Sequence, residues 1–211
     1  MYWFYYFVRL SIRLLMLLLT RWQVKGKENI PDQGPLLIVA NHLSQSDPPI
    51  LAAAINRRAV FMAKEELFQH RFFSYFIRSC GAFPVRRGGL DRKALKQAEQ
   101  CLGRGMALIM FPEGTRSDDS KLQTAFPGSA LIALRVGASI LPVGITGTEN
   151  IGGLTWWLRR PRIMVNIGHV FQPPPANGKL TRIERAHLTN SIMERIAGLL
   201  PPEYRGVYGK R

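Results

Sequence analysis

A histidine and an aspartate lie five residues apart in the loop after a strongly apolar run. His42 follows Leu36–Ala40 after a single residue, Asn41, and Asp47 stands where the next helix is expected to begin, as its N-cap before Pro48. On one helix, residues five apart point about 140° apart and cannot pair. Across a strand, a loop and a helix start, the chain can fold back and bring the carboxylate to the imidazole. Such a pair fixes the tautomer of the ring and raises the basicity of its other nitrogen.

The chain offers no nucleophile of its own to accompany this pair. It contains no G-x-S-x-G sequence, no Walker A loop, no complete G-x-G-x-x-G and no H-E-x-x-H. We therefore expect no metal and no cofactor, and the proton that His42 removes would come from a hydroxyl of the substrate. The alternative is that Asp47 is only a helix cap and His42 an ordinary polar loop residue.

A second polar loop follows the apolar run Met106–Phe111. It reads Phe-Pro-Glu-Gly-Thr-Arg-Ser over residues 111–117. Glu113 and Arg116 on this glycine-containing turn could hold a polyol and a phosphate, because arginine binds phosphate through two parallel hydrogen bonds. A surface turn with a local Glu–Arg pair is the alternative.

Two further basic positions follow apolar runs. Arg86-Arg87-Gly88-Gly89 comes after Ala82–Val85 and leads into a helix capped by Asp91, which suits an anion. Lys64 directly follows Ala59–Ala63 and could stabilise negative charge on a thioester oxygen during attack. A solvated basic turn and an exposed lysine are the respective alternatives.

The elements expected around these loops bring them to one edge of a sheet. From residue 35 onward, short apolar runs alternate with helical patterns, and the runs predict strands at 36–40, 59–63, 82–85, 106–111, 140–145 and 163–167. This alternation predicts a single α/β domain whose largely parallel central sheet is flanked by helices. Ligands in such sheets bind beyond the carboxyl ends of the strands, where these loops lie.

The composition requires an anionic partner. Lys and Arg number 29 against 14 Asp and Glu, a formal net charge of +15. Nucleic acid, an anionic membrane surface and phosphorylated substrates all satisfy that charge. The two cysteines, Cys80 and Cys101, lack metal-ligand spacing and a C-x-x-C motif, and we expect both to be reduced thiols in a cytosolic protein.

The N-terminal segment favours a membrane. Residues 2–19 are almost wholly apolar, with aromatic side chains at positions 2–7, and only Arg9 and Arg13 interrupt the run. Each arginine at the centre of a spanning helix would cost roughly 2.5–3.5 kcal/mol. We therefore expect a helix in the membrane interface, with its arginines at the headgroups. An ordinary helix packed on the core is the alternative.

A second patch combines tryptophan with arginine. Trp156, Trp157 and Leu158 run into Arg159, Arg160 and Arg162. Tryptophan favours the headgroup level of a bilayer and arginine favours anionic lipid, although a β-hairpin with half-buried tryptophans fits as well. Aromatic residues beside arginines also bind single-stranded nucleic acid. The apolar N-terminal segment and the lack of a nucleic-acid-binding signature argue against nucleic acid as the partner.

Four motifs in order resemble the glycerolipid acyltransferases, and 1-acyl-sn-glycerol-3-phosphate acyltransferases in particular. The motifs are His42-x4-Asp47, Gly81-Ala82-Phe83-Pro84-Val85-Arg86-Arg87, the 111–117 loop and Leu141-Pro142-Val143. The segment Ala63-Lys64-Glu65-Glu66-Leu67-Phe68 is similar to one common in that group. One departure is Thr124-Ala125-Phe126-Pro127-Gly128, where many relatives carry a lysine near the phenylalanine.

The resemblance implies a glycerol-3-phosphate acyltransferase-like fold and a transfer of fatty acyl groups to a lysophospholipid acceptor. It implies acyl-CoA or acyl carrier protein as donor and a place on the cytoplasmic face of the cell membrane, peripheral or monotopic. His42 would be the general base and Asp47 the residue that orients it. Glycerol phosphate would be bound by Arg87, Glu113, Gly114, Thr115 and Arg116.

Residues 1–22 are accordingly expected to form an amphipathic membrane-interface helix, and residues 23–211 the acyltransferase domain. A same-fold enzyme acting on glycerol-3-phosphate or another lysolipid or glycolipid is the closest alternative. A non-catalytic basic protein that binds anionic lipid or nucleic acid is the alternative from a different class.

Overall fold

The computed structural model describes residues 2–86, 91–175 and 180–209. Its centre is a seven-stranded sheet in the order β1-β7-β6-β2-β5-β3-β4. The strands are β1 (Arg21–Lys25), β2 (Leu36–Ala40), β3 (Ala59–Lys64), β4 (Ala82–Val85), β5 (Ala107–Met110), β6 (Ser139–Thr146) and β7 (Arg162–Ile167). The α-helices are α1 (Tyr2–Leu19), α2 (Asp47–Ala54), α3 (Arg71–Ser79), α4 (Arg92–Gly103), α5 (Gly128–Val136) and α6 (Arg182–Gly198).

The predicted α/β architecture with a largely parallel sheet is confirmed. Strands β6, β2, β5, β3 and β4 are mutually parallel, while β7 pairs antiparallel to β6 and β1 pairs parallel to β7. All five residues of β2 are buried, as expected for a strand covered on both faces. A capping box of Thr181 and Glu184 opens α6, and Cys80 and Cys101 are free and partly buried.

The direction of each crossover decides which face a helix covers. From β2 to β3 to β4 the chain moves one way along the sheet, and from β4 to β5 to β6 it moves back. Because such crossovers are right-handed, α2 and α3 share one face, and α4 and α5 share the other. The two main core clusters agree, since one joins side chains of α2 and the other joins those of α4, α5 and α6 to the sheet.

Strand β1 was not predicted. It is five residues long, lies at a sheet edge and alternates exposed and half-buried positions between Arg21 and Lys25. Charged ends on a short edge strand discourage pairing with other chains, but they also hide the strand in the sequence. The predicted boundary after residue 22 falls inside β1.

Helix α1 spans the predicted residues and is packed along one face only. Tyr5 and Met16 are buried, and the N–H of Ala59 donates to the Tyr5 hydroxyl oxygen at 3.2 Å. Arg13 was expected at the lipid headgroups, but its side chain instead binds the end of α2. Its Nε donates to the carbonyl oxygen of Ala53 at 2.6 Å, and its Nη2 donates to Asn56. A cation at the C-terminal end of α2 stabilises that helix. In the described residues, no helix is long and apolar enough to cross a bilayer.

Candidate active site

The first residue of the site is Asn41, whose buried side-chain amide lies directly after the end of β2. The side chain of Asn41 donates to the carbonyl of Ile145 at 2.8 Å and accepts from the N–H of Ile145 at 2.7 Å. These two bonds take the place of a further backbone pair between β2 and β6. The backbone of His42 is therefore free to turn toward the loop after β5.

The loop after β5 holds His42 by its backbone. The N–H of His42 donates to Glu113 Oε1 at 3.0 Å, and the carbonyl of His42 accepts from the N–H of Ser117 at 2.8 Å. The imidazole stacks on the ring of Phe111, with centroids 4.3 Å apart and planes 24° from parallel. Both the backbone and the ring of His42 are fixed before any substrate arrives.

The predicted pair of His42 and Asp47 is formed. Nδ1 of the imidazole lies 2.8 Å from Asp47 Oδ2, and the two side chains are 6% and 0% exposed. With Nδ1 engaged by the carboxylate, the imidazole carries its hydrogen there and leaves Nε2 as a proton acceptor. The geometry matches that of a general base with its orienting carboxylate, while the catalytic role itself stays a prediction.

Asp47 does not cap its helix, so that expectation was wrong. It is the first residue of α2, and Ser46 occupies the N-cap position without a side-chain bond. The Asp47 Oδ2 atom accepts from the N–H groups of Leu43 at 2.6 Å and Ser44 at 2.7 Å. The carboxylate therefore closes the loop that carries His42, and the N-terminal end of α2 favours its negative charge.

Thr148 completes the pair, and sequence reasoning missed it. Its buried hydroxyl donates to Asp47 Oδ1 at 2.5 Å. Gly147 places it: this residue has φ +86°, and a Cβ there would lie 2.0 Å from the carbonyl oxygen of Arg162. The rule that pointed to the loops after other parallel strands applies equally to the loop after β6, which holds Thr148. Asn41 was missed because it looked like part of the loop.

Glu113 lies behind His42 rather than open to a ligand. It is 2% exposed, and its two carboxylate oxygens accept from the N–H groups of His42 and Gln123. Burial raises the pKa of Glu113 from 4.5 to about 7, against the opposing effect of these two N–H donors. Its position is that of a support for the His42 backbone, whereas the resemblance implied contact with glycerol phosphate.

The other predicted residues in the described part of the chain occupy the same edge of the sheet. Gly114 has φ +69°, and a Cβ there would lie 3.0 Å from the ring of Phe126. Thr115 and Arg116 follow it and are exposed. Lys64 ends β3, where its ammonium lies 3.1 Å from Glu66. Arg87 lies outside the described residues.

An apolar cavity of about 470 Å³ adjoins the pair. His42 and Phe111 lie at its wall, and most of its remaining lining is apolar, including Met62, Leu95 and Leu131. Its volume falls in the range of about 300–1,000 Å³ that is typical of ligand pockets. In the described residues, no cluster of three His, Cys, Asp or Glu side chains could hold a metal ion.

Comparison with known proteins identifies the family. Residues 21–146 match the family model described as Acyltransferase. The chain belongs to the acyltransferase family. The crystal structure of the 1-acyl-sn-glycerophosphate acyltransferase PlsC from Thermotoga maritima has a TM-score of 0.72 at 28% identity, over 92% of this chain and 78% of that chain.

Two curated acyltransferases show how far the similarity extends. A 1-acyl-sn-glycerol-3-phosphate acyltransferase of Streptococcus pneumoniae is 37% identical over 176 residues, which are 79% of this chain and 62% of that protein. A lyso-ornithine lipid O-acyltransferase of Pseudomonas aeruginosa is 33% identical over 141 residues, 61% of this chain and 53% of that protein. The match thus spans less than two thirds of the length of either relative.

Thr148 gives a test of how the pair is positioned. Thr148→Val keeps the shape of the side chain but removes the donor to Asp47, and a hydrogen bond to a charged group contributes about 1.5–3 kcal/mol. For the acyl transfer proposed below, we expect kcat to fall at least about tenfold. Thr148→Ser keeps the hydroxyl and loses the methyl group, so its kcat should stay near that of the parent protein. A serine variant as slow as the valine variant would contradict the hydroxyl's role.

Glu113 should make stability depend on pH. Because its pKa is raised in the folded protein, the carboxyl contributes stability below about pH 4.5 that is lost as the pH rises through about 7. Glu113→Gln cannot titrate. We expect the free energy of unfolding of the parent, relative to this variant, to fall between those pH values in urea titrations. A difference that stays constant across the range would contradict the raised pKa.

Proposed function

We propose that this acyltransferase moves a fatty acyl group from a thioester to the free hydroxyl of 1-acyl-sn-glycerol-3-phosphate, which gives phosphatidic acid for phospholipid biosynthesis. The observation that carries the proposal is the buried pair of His42 and Asp47 at the wall of an apolar cavity. An imidazole held in one tautomer suits the removal of a proton from a hydroxyl. An apolar cavity beside it suits a long acyl chain.

The reaction is a single direct transfer. Nε2 of His42 takes the proton of the acceptor hydroxyl as its oxygen attacks the carbonyl carbon of the thioester. The tetrahedral intermediate collapses with breakage of the C–S bond, and the imidazolium returns the proton to the leaving sulfur. Asp47 stabilises the imidazolium between these two steps, as the carboxylate of a serine-protease triad does. The site needs no resident cofactor for this chemistry.

The exposed part of the loop after β5 binds the acceptor. Thr115 and Arg116 are exposed at the edge of the sheet that carries His42. Arginine can bind the acceptor phosphate through two charge-assisted bonds. Arg87 serves as the second phosphate ligand in this proposal, and Gly114 shapes the turn. Glu113 contributes indirectly, since it holds the backbone of His42.

The donor is acyl-CoA or acyl carrier protein. During attack, negative charge develops on the thioester oxygen, and Lys64 or a backbone N–H is the proposed partner for it. The ammonium of Lys64 bonds to Glu66, and both side chains are about half exposed. Lys64 must therefore exchange this partner for the thioester oxygen.

The enzyme is proposed to work on the cytoplasmic face of the cell membrane as a peripheral or monotopic protein. On α1, the exposed side chains of Trp3, Phe7, Leu10, Leu14 and Leu18 recur every three or four residues. Side chains at this spacing form one apolar stripe along a helix, which suits the membrane interface. Among the exposed side chains of the second patch are Leu154, Trp157 and Leu158.

Another lysolipid is a second candidate acceptor. The observation in its favour is the similarity to a protein named for lyso-ornithine lipid acylation. A non-catalytic basic protein that binds anionic lipid or nucleic acid explains the charge, but it gives no reason for a buried imidazole and carboxylate beside an apolar cavity. Nucleic acid is not a proposed partner.

His42→Ala tests the base. A positioned general base contributes about 10²- to 10⁴-fold in rate, and we expect kcat to fall by at least the lower figure. The thermal midpoint should fall, because the buried carboxylate of Asp47 loses the ring as a donor, but the backbone bonds to Glu113 and Ser117 do not involve the ring and should keep the chain folded. Near-normal turnover by a folded His42→Ala variant would remove the mechanism.

Arg116→Ala tests recognition of the phosphate. We expect KM for 1-acyl-sn-glycerol-3-phosphate to rise about tenfold with little change in kcat, since one charge-assisted contact is lost. A panel of acceptors with one acyl-CoA should include a monoacylglycerol, for which no rise is expected. Lys121→Ala, an exposed basic residue nearby, is the matched control. An unchanged KM for the phosphorylated acceptor would count against Arg116.

A further inference from the structure

Helix α3 exposes more aromatic surface than is usual for a helix that faces water. Within its nine residues, Phe72 is 94% exposed, Phe73 46%, Tyr75 59% and Phe76 43%. Only Ile77 of this helix is buried. Contiguous exposed apolar surface of this kind marks a site of contact with another molecule or a membrane.

The charged side chains on helices α1 and α3 are all basic, and the two glutamates of the turn before α3, Glu65 and Glu66, pair with Arg86 and Lys64. Helix α3 contains Arg71 and Arg78 and no acidic residue, and the 18 residues of α1 also contain none. Arg78 lies over the ring of Phe68, 4.8 Å from its centroid. Helices that carry aromatic side chains and arginines but no acidic residue complement the headgroup region of an anionic bilayer.

Helices α1 and α3 meet at their aromatic side chains. The rings of Phe4 and Phe76 contact edge to face, with centroids 5.9 Å apart. Phe76 is near the C-terminal end of α3, and Phe4 is near the N-terminal end of α1, beside the start of β3. The exposed aromatic surface of α3 therefore continues that of α1.

Topology places the other end of α3 at the catalytic edge of the sheet. The helix follows β3 and the 3₁₀ turn Glu65–Phe68, so its N-terminal end lies near the carboxyl ends of the parallel strands. Glu65 in that turn bonds to Arg86 at 2.7 Å, and Arg86 lies at the wall of the cavity that also contains His42. An apolar surface thus runs from α1 along α3 toward the rim of the cavity.

We propose that α3 is a second membrane contact and that α1 and α3 together form one surface that docks on an anionic lipid bilayer. This inference rests on the membrane association proposed above for α1. The exposed phenylalanines of α3 enter the interface, Arg71 and Arg78 remain at the headgroups, and the bilayer is brought to the edge of the sheet where His42 lies. A long-chain acceptor then has a short path from the bilayer to the site.

Vesicle binding tests the proposal without any acyl transfer. The full chain and its variants are sedimented with vesicles of equimolar phosphatidylcholine and phosphatidylglycerol, and the partition coefficient is measured. Phe72→Ser/Phe73→Ser should lower it about tenfold or more, since two large apolar side chains no longer enter the interface. Leu14→Ser/Leu18→Ser on α1 should lower it as well. Vesicles of phosphatidylcholine alone should bind the parent chain more weakly.

Ile183→Ser/Val207→Ser is the matched control, because both side chains are about as exposed but lie on other elements. Its partition coefficient should equal that of the parent. If the α3 double variant does not fold, Phe72→Ser alone serves, since this side chain is almost fully exposed and supports no core.

Two outcomes would overturn the inference. Parent-like vesicle binding by the α3 variant, with loss in the α1 variant, would leave α1 as the membrane contact and remove α3. A change from dimer to monomer in light scattering, with vesicle binding intact, would make the surface an interface between copies of the chain. Because no substrate is present, a failure of the proposed reaction would leave both measurements valid.

Discussion

The carboxylate of Asp47 is the group on which the site depends. It is completely buried, and it gathers the imidazole of His42, two backbone N–H groups of the loop and the hydroxyl of Thr148. A buried negative charge is costly unless it is fully hydrogen-bonded. The same bonds that satisfy the charge also determine the shape of the loop, so the fold of this segment and the orientation of the His42 ring have one cause.

A second acidic side chain supports His42 from the opposite side. Glu113 ties the backbone of His42 to the loop after β5, while Asp47 holds its ring. Strands β2 and β5 are neighbours in the sheet, so the two loops are brought together by strand pairing. The rigid sheet therefore supplies most of the organisation of the site, and short loops add the chemical groups.

Much of this arrangement was predictable from the sequence, and the failures have physical reasons. The buried parallel strands are continuous apolar runs, and the edge rule correctly brought His42, Asp47 and the loop after β5 together. Strand β1 was missed because three of its five residues are exposed and the other two are only half-buried. Thr148 and Asn41 were missed because their roles depend on contacts with residues about one hundred positions away. The inward position of Glu113 likewise depends on packing rather than on local pattern.

The bond between Arg13 and the carbonyl of Ala53 ties the N-terminal helix α1 to the end of α2. Helix α2 has only eight residues, about 12 Å in length. Its first residue is Asp47, and its last turn is held by an arginine of α1. Helix α1 and the loop that carries His42 are thus connected through the eight residues of α2. Truncation of the first nineteen residues to gain solubility would uncap α2 and uncover the core at Met16, and so would loosen the loop that carries His42.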